Sequence, residues 1–279
     1  MDRHRFGVIN REVPVIGQGS WYIDTGDAAF SVAALRLGID LGMTHIDTAE
    51  MYGASEEIIG EAIAGRRDEI FLVSKVIPQN ASRTGTIKAC ERSLARLQTD
   101  RLDCYLLHWR GEHPLEGTIE AFEQLLRDQK ILSWGVSNFD VSDLDEVIEI
   151  AGPGRLACDQ VLYHLQQRAI EHAVLPWCEK HHVSVVGYSP FGHGDFPGPR
   201  TEGGRVLKEI AEAHSKTPRQ VALSFLVRRP SLFTIPKASE RKHVIENAGA
   251  GDLRLTEAEI AMIDKAFPRG PRPAELPTL

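Results

Sequence analysis

No run of apolar residues in the chain approaches the ~18 needed to cross a bilayer. The opening Met1-Asp2-Arg3-His4-Arg5 leads into no apolar stretch of signal-peptide length either. No membrane partner is expected, and the chain reads as cytoplasmic. Positive charge is not in excess, because 32 lysines and arginines stand against 39 acids for a net charge of -7. Neutralising a nucleic-acid backbone needs clustered Lys and Arg, so no nucleic-acid partner is expected, although a small anionic ligand stays open. Cysteine is scarce: Cys90, Cys104, Cys158 and Cys178 form no C-x-x-C pair and sit among apolar neighbours, which points to core packing. His113, His164, His172, His181, His182, His193 and His214 share no H-E-x-x-H or comparable ligand spacing, so no metal is implied. A G-x-G-x-x-G phosphate loop and low-complexity tracts are missing as well.

What the chain does contain is a regular alternation of short apolar segments with amphipathic ones over 279 residues. At 42% hydrophobic and 25% charged it has material for a sizeable core. A βαβα alternation implies a parallel sheet covered by helices, and eight repeats imply a closed (β/α)8 TIM barrel, which at roughly 250 residues is one domain, here residues 1–279. The strands are expected to begin near Val15, Met43, Ile70, Asp103, Ser133, Ala157, Ser184 and Leu232. In the first helix Phe30, Ala33, Leu37 and Leu41 follow one face, placed toward the sheet, with Gly42 as C-terminal cap. Ile87, Cys90, Leu94 and Leu97 repeat that spacing in a later helix. Thr217-Pro218-Arg219-Gln220 reads as a capping box with proline at the first helical position, and Thr256 to Glu259 as a second box. Phe6, Val8 and Ile9 followed by Val13 suggest an N-terminal β-hairpin closing the barrel floor. Leu253 to Phe267 suggests an extra C-terminal helix, before a tail whose four prolines prevent another.

A parallel barrel carries its site at the C-terminal strand ends. Here the strands end at Ser20-Trp21, Asp47, Lys75, His108, Ser137-Asn138, Gln160, Tyr188-Ser189 and Lys237, groups that would converge on one mouth. Singly these are weak signals. Asp47-Thr48 also suits a helix cap, Tyr52 a packed aromatic, and His108 a hydrogen-bonded core histidine. Lys75 is different, because an ammonium ending the buried strand Ile70-Phe71-Leu72-Val73 is costly without solvent, a carboxylate or a ligand. Asp47 is its natural counter-ion.

The segment D-T-A-E-M-Y-G from Asp47 resembles the aldo-keto reductase superfamily. So do L-L-H-W around His108, G-V-S-N-F from Gly135, D-Q-V-L-Y-H from Asp159, G-Y-S-P-F-G from Gly187 and I-P-K-A from Ile235, in family order along essentially the whole chain. The resemblance implies an NADPH-dependent oxidoreductase of the aldehyde-reductase type, similar to bacterial methylglyoxal or general aldehyde reductases. It implies a catalytic tetrad of Asp47, Tyr52, Lys75 and His108. Hydride arriving at a carbonyl carbon leaves charge on oxygen, so a proton donor must stand ready. Tyr52 would be that general acid, its pKa lowered by the Lys75 ammonium. Asp47 would keep Lys75 protonated, and His108 would orient the carbonyl.

The same resemblance implies a cofactor held extended across the strand ends. Ser137, Asn138 and Gln160 would hold the nicotinamide amide, with Tyr188 stacked on its ring and Ser20, Trp21 and Asp47 beside it. Ser189, Pro190, Phe191 and Gly192 would follow the pyrophosphate. Ile235, Pro236, Lys237, Ala238 and Ser239 would lead to the 2′-phosphate, with Lys237 and Arg241 as its cations, and Glu246 and Asn247 would meet the adenine. His243 stands where the family often has arginine, so NADPH is favoured while NADH use at lower affinity is plausible. Trp21, Tyr22, Tyr52, His108 and Trp109 would wall a pocket for small aldehydes, dicarbonyls or hydrophobic ketones, left open by a short connection from Arg110 to Leu115 and a short C-terminal tail. A monomer is the family expectation. Two rivals remain: a non-catalytic NADPH-binding sensor or accessory subunit of the same fold, and a barrel aldolase with Lys75 as Schiff base.

Overall fold

The computed structural model describes residues 1–279 throughout. Eight short strands lie side by side in chain order, all parallel: β3 (Gln18–Gly19), β4 (His45–Asp47), β5 (Phe71–Val76), β6 (Cys104–Leu107), β7 (Trp134–Ser137), β8 (Leu156–Leu162), β9 (Ser184–Tyr188) and β10 (Leu232–Thr234). The outermost strands meet. Thr234 N donates to Val15 O at 2.9 Å and Gly17 N to Thr234 O at 2.8 Å, so the curled sheet closes through a parallel bridge between Ile16 and Thr234. The seam is tight: a Cβ on Gly19 would stand 2.5 Å from the Ile235 carbonyl oxygen, which is why glycine occupies that position.

Each expected strand is present, shifted by at most a few residues. Helices α1 (Ala28–Asp40), α2 (Ser55–Ile63), α3 (Arg83–Leu97), α4 (Leu115–Arg127), α5 (Val141–Ala151), α6 (Val174–Lys180), α7 (Glu202–Ala213), α8 (Pro218–Leu226), α9 (Arg241–Ala248) and α10 (Glu257–Ala266) form the outer layer. The larger apolar cluster lies between sheet and helices and a smaller one fills the barrel interior. Ile87, Cys90, Leu94 and Leu97 do face inward, and all four cysteines are free and buried. Both capping boxes form, Thr217 with Gln220 and Thr256 with Glu259.

Three local expectations are corrected. In α1 the buried face is Ser31, Val32, Ala34, Leu35, Gly38 and Ile39, whereas Phe30 is 72% exposed and Ala33 and Leu41 also lie outside. The helix is apolar nearly all round, so periodicity alone did not distinguish its faces. The hairpin pairs β1 (Arg3–Arg5) with β2 (Glu12–Pro14), not Phe6–Ile9. Phe6 instead turns into the barrel floor, its ring centroid 4.7 Å from Phe71 and 5.1 Å from Phe233. The last helix begins at Glu257 rather than Leu253, because the Thr256 hydroxyl accepts from Glu259 N and marks the first turn.

Below α10 and α8 lies a buried ionic knot. Glu171 accepts from Arg168 at 2.7 and 2.9 Å, from Tyr163 OH at 2.6 Å and from Arg228 at 3.1 Å. Burial alone would raise its carboxyl, but the hydrogen bonds from Arg168 and Tyr163 and the charge of Arg228 bring it down to about 2. A carboxylate held below its unfolded value stabilises the fold above the ordinary glutamate range and loses that contribution as pH falls toward 2. Glu171→Gln is therefore expected to cost about 2 kcal/mol at pH 7, with the difference from wild type shrinking below pH ~4.5. Urea unfolding of both proteins at pH 7 and pH 3 checks it; an equal deficit at the two values would sink the ionic account.

Candidate active site

The C-terminal strand ends surround a cavity of about 800 Å³. Its wall takes in Ser20, Trp21 and Tyr22 after β3, Asp47 and Tyr52 at and beyond β4, and His108 and Trp109 after β6. Ser137 and Asn138 follow from β7, Gln160 from β8, Tyr188, Ser189, Pro190 and Phe191 from β9, and Ile235 and Lys237 beyond β10. Lys75 lies beneath this wall, 0% exposed, one residue before the end of β5.

The polar floor is a connected set. Lys75 Nζ donates to Asp47 Oδ1 at 2.5 Å and to the Thr48 carbonyl at 2.7 Å, and Gln160 Nε2 donates to Asp47 Oδ2 at 2.8 Å. The same ammonium stands 5.1 Å from the centroid of the Tyr52 ring. Tyr52 OH lies 3.4 Å from His108 Nε2. Asn138 donates to the His108 carbonyl at 3.2 Å and accepts from Tyr188 OH at 2.9 Å, while Ser137 Oγ donates to the Gln160 carbonyl at 2.8 Å.

Burial would strip the proton from Lys75, but Asp47 and then Tyr52 outweigh it and raise the ammonium above its usual value. Burial also raises Asp47, against the pull of Lys75 and Gln160. For Tyr52 burial is the largest influence and raises the phenol; Lys75 opposes it, and Asp47 adds to the rise. The expectation of a lowered tyrosine is thus corrected: with the phenol set into the cavity wall, desolvation exceeds the attraction of an ammonium already paired with Asp47. His108 is driven down to about 2 by burial and by the Lys75 charge, so its imidazole is neutral.

Backbone geometry concentrates here too. Of the eight non-glycine residues with positive φ, Gln98, Gln129, His182 and Ser215 follow helices α3, α4, α6 and α7, where a left-handed residue is routine. The other four, Tyr22, Asn138, Ser189 and His193, all line the cavity. Strained residues persist where surrounding structure over-determines them, as at ligand sites.

Several cavity residues carried no sequence signal. Gly19, Met51, Arg110, His193, Gly194, Thr278 and Leu279 also line it. His193 stacks on Trp21 with ring centroids 5.1 Å apart, and Trp21 on Tyr22 at 4.6 Å, so the loops after β9 and β3, which flank β10 at the seam, meet over the mouth. The tail, expected to leave the pocket open, reaches it through Thr278 and Leu279. Arg110 and Met51 could have been suspected only as neighbours of Trp109 and Tyr52. Conversely Gly192, Pro236, Ala238, Ser239, Arg241, His243, Glu246 and Asn247 do not line this cavity. Pro236 accepts from Gly19 N at the barrel seam, the Glu246 carboxylate accepts from Thr217 Oγ1 at 2.6 Å, and Asn247 is buried.

The cavity suits a long polar ligand with a flat end. The Ser20 hydroxyl lines it, buried and without a partner, and a buried hydroxyl left unmet is costly. Lys237 is a cavity cation in no ion pair, and Tyr188 offers an aromatic wall beside the Asn138 and Gln160 amides. These residues fit a nicotinamide dinucleotide. Residues 15–267 match the model of the Aldo/keto reductase family. The chain is 45% identical to methylglyoxal reductase YeaE of Escherichia coli (strain K12), over 92% of each sequence. With glyoxal reductase of Bacillus subtilis (strain 168) the identity is 34%, over 95% of this chain and 94% of that one. The crystal structure of an aldo/keto reductase from Klebsiella pneumoniae in complex with NADP and acetate superimposes with a TM-score of 0.93 at 43% identity, covering 99% of both chains.

Proposed function

This chain belongs to the aldo/keto reductase family and reduces carbonyl compounds with NADPH, and from that premise we propose that Tyr52 is its proton donor and small aldehydes and dicarbonyls its substrates. The observation that carries the reading is a phenol hydroxyl in the cavity wall, 3.4 Å from His108 Nε2, whose ring lies 5.1 Å from the ammonium of a buried lysine-aspartate pair.

NADPH, when bound, supplies a hydride for the carbonyl carbon. The chain's own residues deal with the oxygen. Tyr52 holds its proton at neutral pH and delivers it as charge develops on that oxygen. The phenolate so formed lies beside the Lys75 ammonium, which favours it, and Asp47 keeps that ammonium charged and oriented. His108, neutral, presents Nε2 at the same point and orients the carbonyl by a hydrogen bond. Ser137, Asn138 and Gln160 are assigned to the nicotinamide amide, Tyr188 to its ring, Ser20 and Trp21 to its flank, and Ser189 to Gly192 to the pyrophosphate path. Ile235 to Ser239 with Arg241, His243, Glu246 and Asn247 are assigned to the adenosine end. Trp21, Tyr22 and Trp109 exclude water from the reacting centre.

The relatives' names, methylglyoxal reductase and glyoxal reductase, support the substrate class, as does a mouth built of aromatic rings with few charges. The whole chain acts as one barrel domain of the aldehyde-reductase type, cytoplasmic and monomeric; no helix is long and apolar enough to cross a membrane. An aldolase-type Schiff base is disfavoured, because Lys75 is fully buried and held charged by Asp47.

Two measurements test this. Wild-type protein should oxidise NADPH with methylglyoxal and with aromatic aldehydes. No turnover by protein that binds NADPH would hand the reading to a non-catalytic NADPH-binding subunit. Lys237→Ala should weaken NADPH about tenfold, the loss of one charge-assisted contact, while NADH affinity stays within about twofold. An equal loss for both would remove Lys237 from the 2′-phosphate.

A further inference from the structure

The mechanism above leaves Glu50 without a task, although its side chain is only 6% exposed. After β4 ends at Asp47 the chain runs through Thr48 to Tyr52 without regular structure before α2 opens at Ser55. Backbone bonds lay this loop along β5: Thr48 N donates to Val73 O at 2.9 Å and Glu50 N to Lys75 O at 3.2 Å. Beyond Tyr52 the loop is tied by Ala54 N, which donates to Asp24 Oδ2 at 3.2 Å, and by Ser55 Oγ, which donates to the Ser20 carbonyl at 3.1 Å. On the near side of Tyr52 Lys75 Nζ holds the Thr48 carbonyl at the start of the loop, and the side-chain tie next to Tyr52 is Glu50. Its Oε1 accepts from Ile77 N at 2.9 Å and Asn80 Nδ2 at 3.0 Å, and its Oε2 from Arg92 Nη2 at 3.3 Å.

The placement is suggestive because of what those partners adjoin. Ile77 lies two residues beyond Lys75, and Glu50 lies two before Tyr52. Glu50 therefore binds the carbonyl of Lys75 through its own N–H and the exit of β5 through its carboxylate. Thr48 also joins the two chain segments that carry the ammonium and the phenol, but Glu50 is the residue that ties them on the Tyr52 side, through both its backbone and its side chain. The contact it would protect is delicate: Tyr52 OH and His108 Nε2 are 3.4 Å apart, at the long end of hydrogen bonding, so a shift of the loop by about an ångström would part them.

We propose that Glu50 is a positioning residue that clamps the Tyr52 loop to the end of β5 and so holds the phenol hydroxyl in register with Lys75 and His108. The proposal rests on Tyr52 as the acid. Glu50→Ala removes all three accepted hydrogen bonds and is expected to lower kcat roughly 30- to 100-fold, the scale of an ångström's misplacement. NADPH Kd, read by fluorescence quenching, should stay within about twofold and aldehyde KM within about threefold, because neither binding surface is touched. Glu50→Gln keeps a carbonyl acceptor for Ile77 N and should recover kcat to within about threefold of wild type. Glu50→Asp keeps the charge but shortens the arm by one methylene, and should cost about tenfold in kcat even if the alanine variant does not fold.

The proposal is overturned if kcat per folded Glu50→Ala molecule is within threefold of wild type, if the loss appears in NADPH Kd or KM instead, or if the glutamine variant falls as far as the alanine one. Where the alanine variant does not fold, wild-type kcat in Glu50→Asp overturns it. Tyr52→Phe assayed alongside separates the two readings. If that variant keeps full activity, the acid assignment has failed; if it is inactive while Glu50→Ala and Glu50→Asp turn over normally, only the clamp has.

Discussion

Tyr52→Phe should lower kcat by about 10²- to 10⁴-fold, the range that a positioned general acid contributes, with NADPH affinity unchanged. The substitution deletes one oxygen, which lies 3.4 Å from His108 Nε2, and leaves the ring in place over the Lys75 ammonium, so the wall of the cavity keeps its shape. What is lost is the proton. Burial holds the phenol protonated, so at neutral pH the group is a ready donor, and the Lys75 charge eases the proton's departure at the moment oxygen becomes negative. Stopped-flow or steady-state oxidation of NADPH with one aldehyde gives kcat, and fluorescence titration gives the cofactor Kd. Full turnover in a variant that still binds cofactor would remove Tyr52 from its role. A matching loss of cofactor binding would make the effect structural.

Asp47→Leu should be the most disruptive single change in stability. It leaves Lys75 at 0% exposure with the Thr48 carbonyl as its one remaining hydrogen-bond acceptor and strands the Gln160 amide. Breaking a buried pair from one side costs about 3–5 kcal/mol. The lysine can escape part of that by giving up its proton, since burial pulls its pKa down once Asp47 no longer holds it up. Turnover should fall with it, because a neutral amine no longer stabilises the phenolate. Adding Lys75→Met to Asp47→Leu replaces the pair by packed apolar groups, which is often neutral for stability. The double variant should therefore regain most of the folding free energy and none of the activity. Urea unfolding and NADPH oxidation on the two variants read the outcomes separately. A double variant no more stable than the single one would mean that Asp47 stabilises the barrel by something other than its pairing with Lys75.

Much of this site is legible in the amino-acid sequence, for a definite reason. The strand ends at Asp47, Lys75, His108, Ser137, Gln160 and Tyr188 can be read one segment at a time, and closure of a parallel barrel then brings them together whatever the details of packing. The caps at Thr217 and Thr256 were equally readable, since a capping box is a contact across three residues. Legibility ended where the deciding contact lay far along the chain. The buried face of α1 depends on the sheet and α2 rather than on its own nearly uniform apolar sequence. The placement of Phe6 depends on Phe71 and Phe233.

The sequence by itself determined the parallel α/β alternation, the family resemblance and the identity of the buried lysine with its counter-ion, because each follows from local composition or from motifs in order. Only the tertiary structure decided that desolvation outweighs Lys75 at Tyr52, that His193 lies across Trp21, that Thr278 and Leu279 reach the cavity, and that Glu50 joins the segments bearing Lys75 and Tyr52. Those are balances of burial and charge, or contacts between distant segments, and neither quantity exists until the chain has folded.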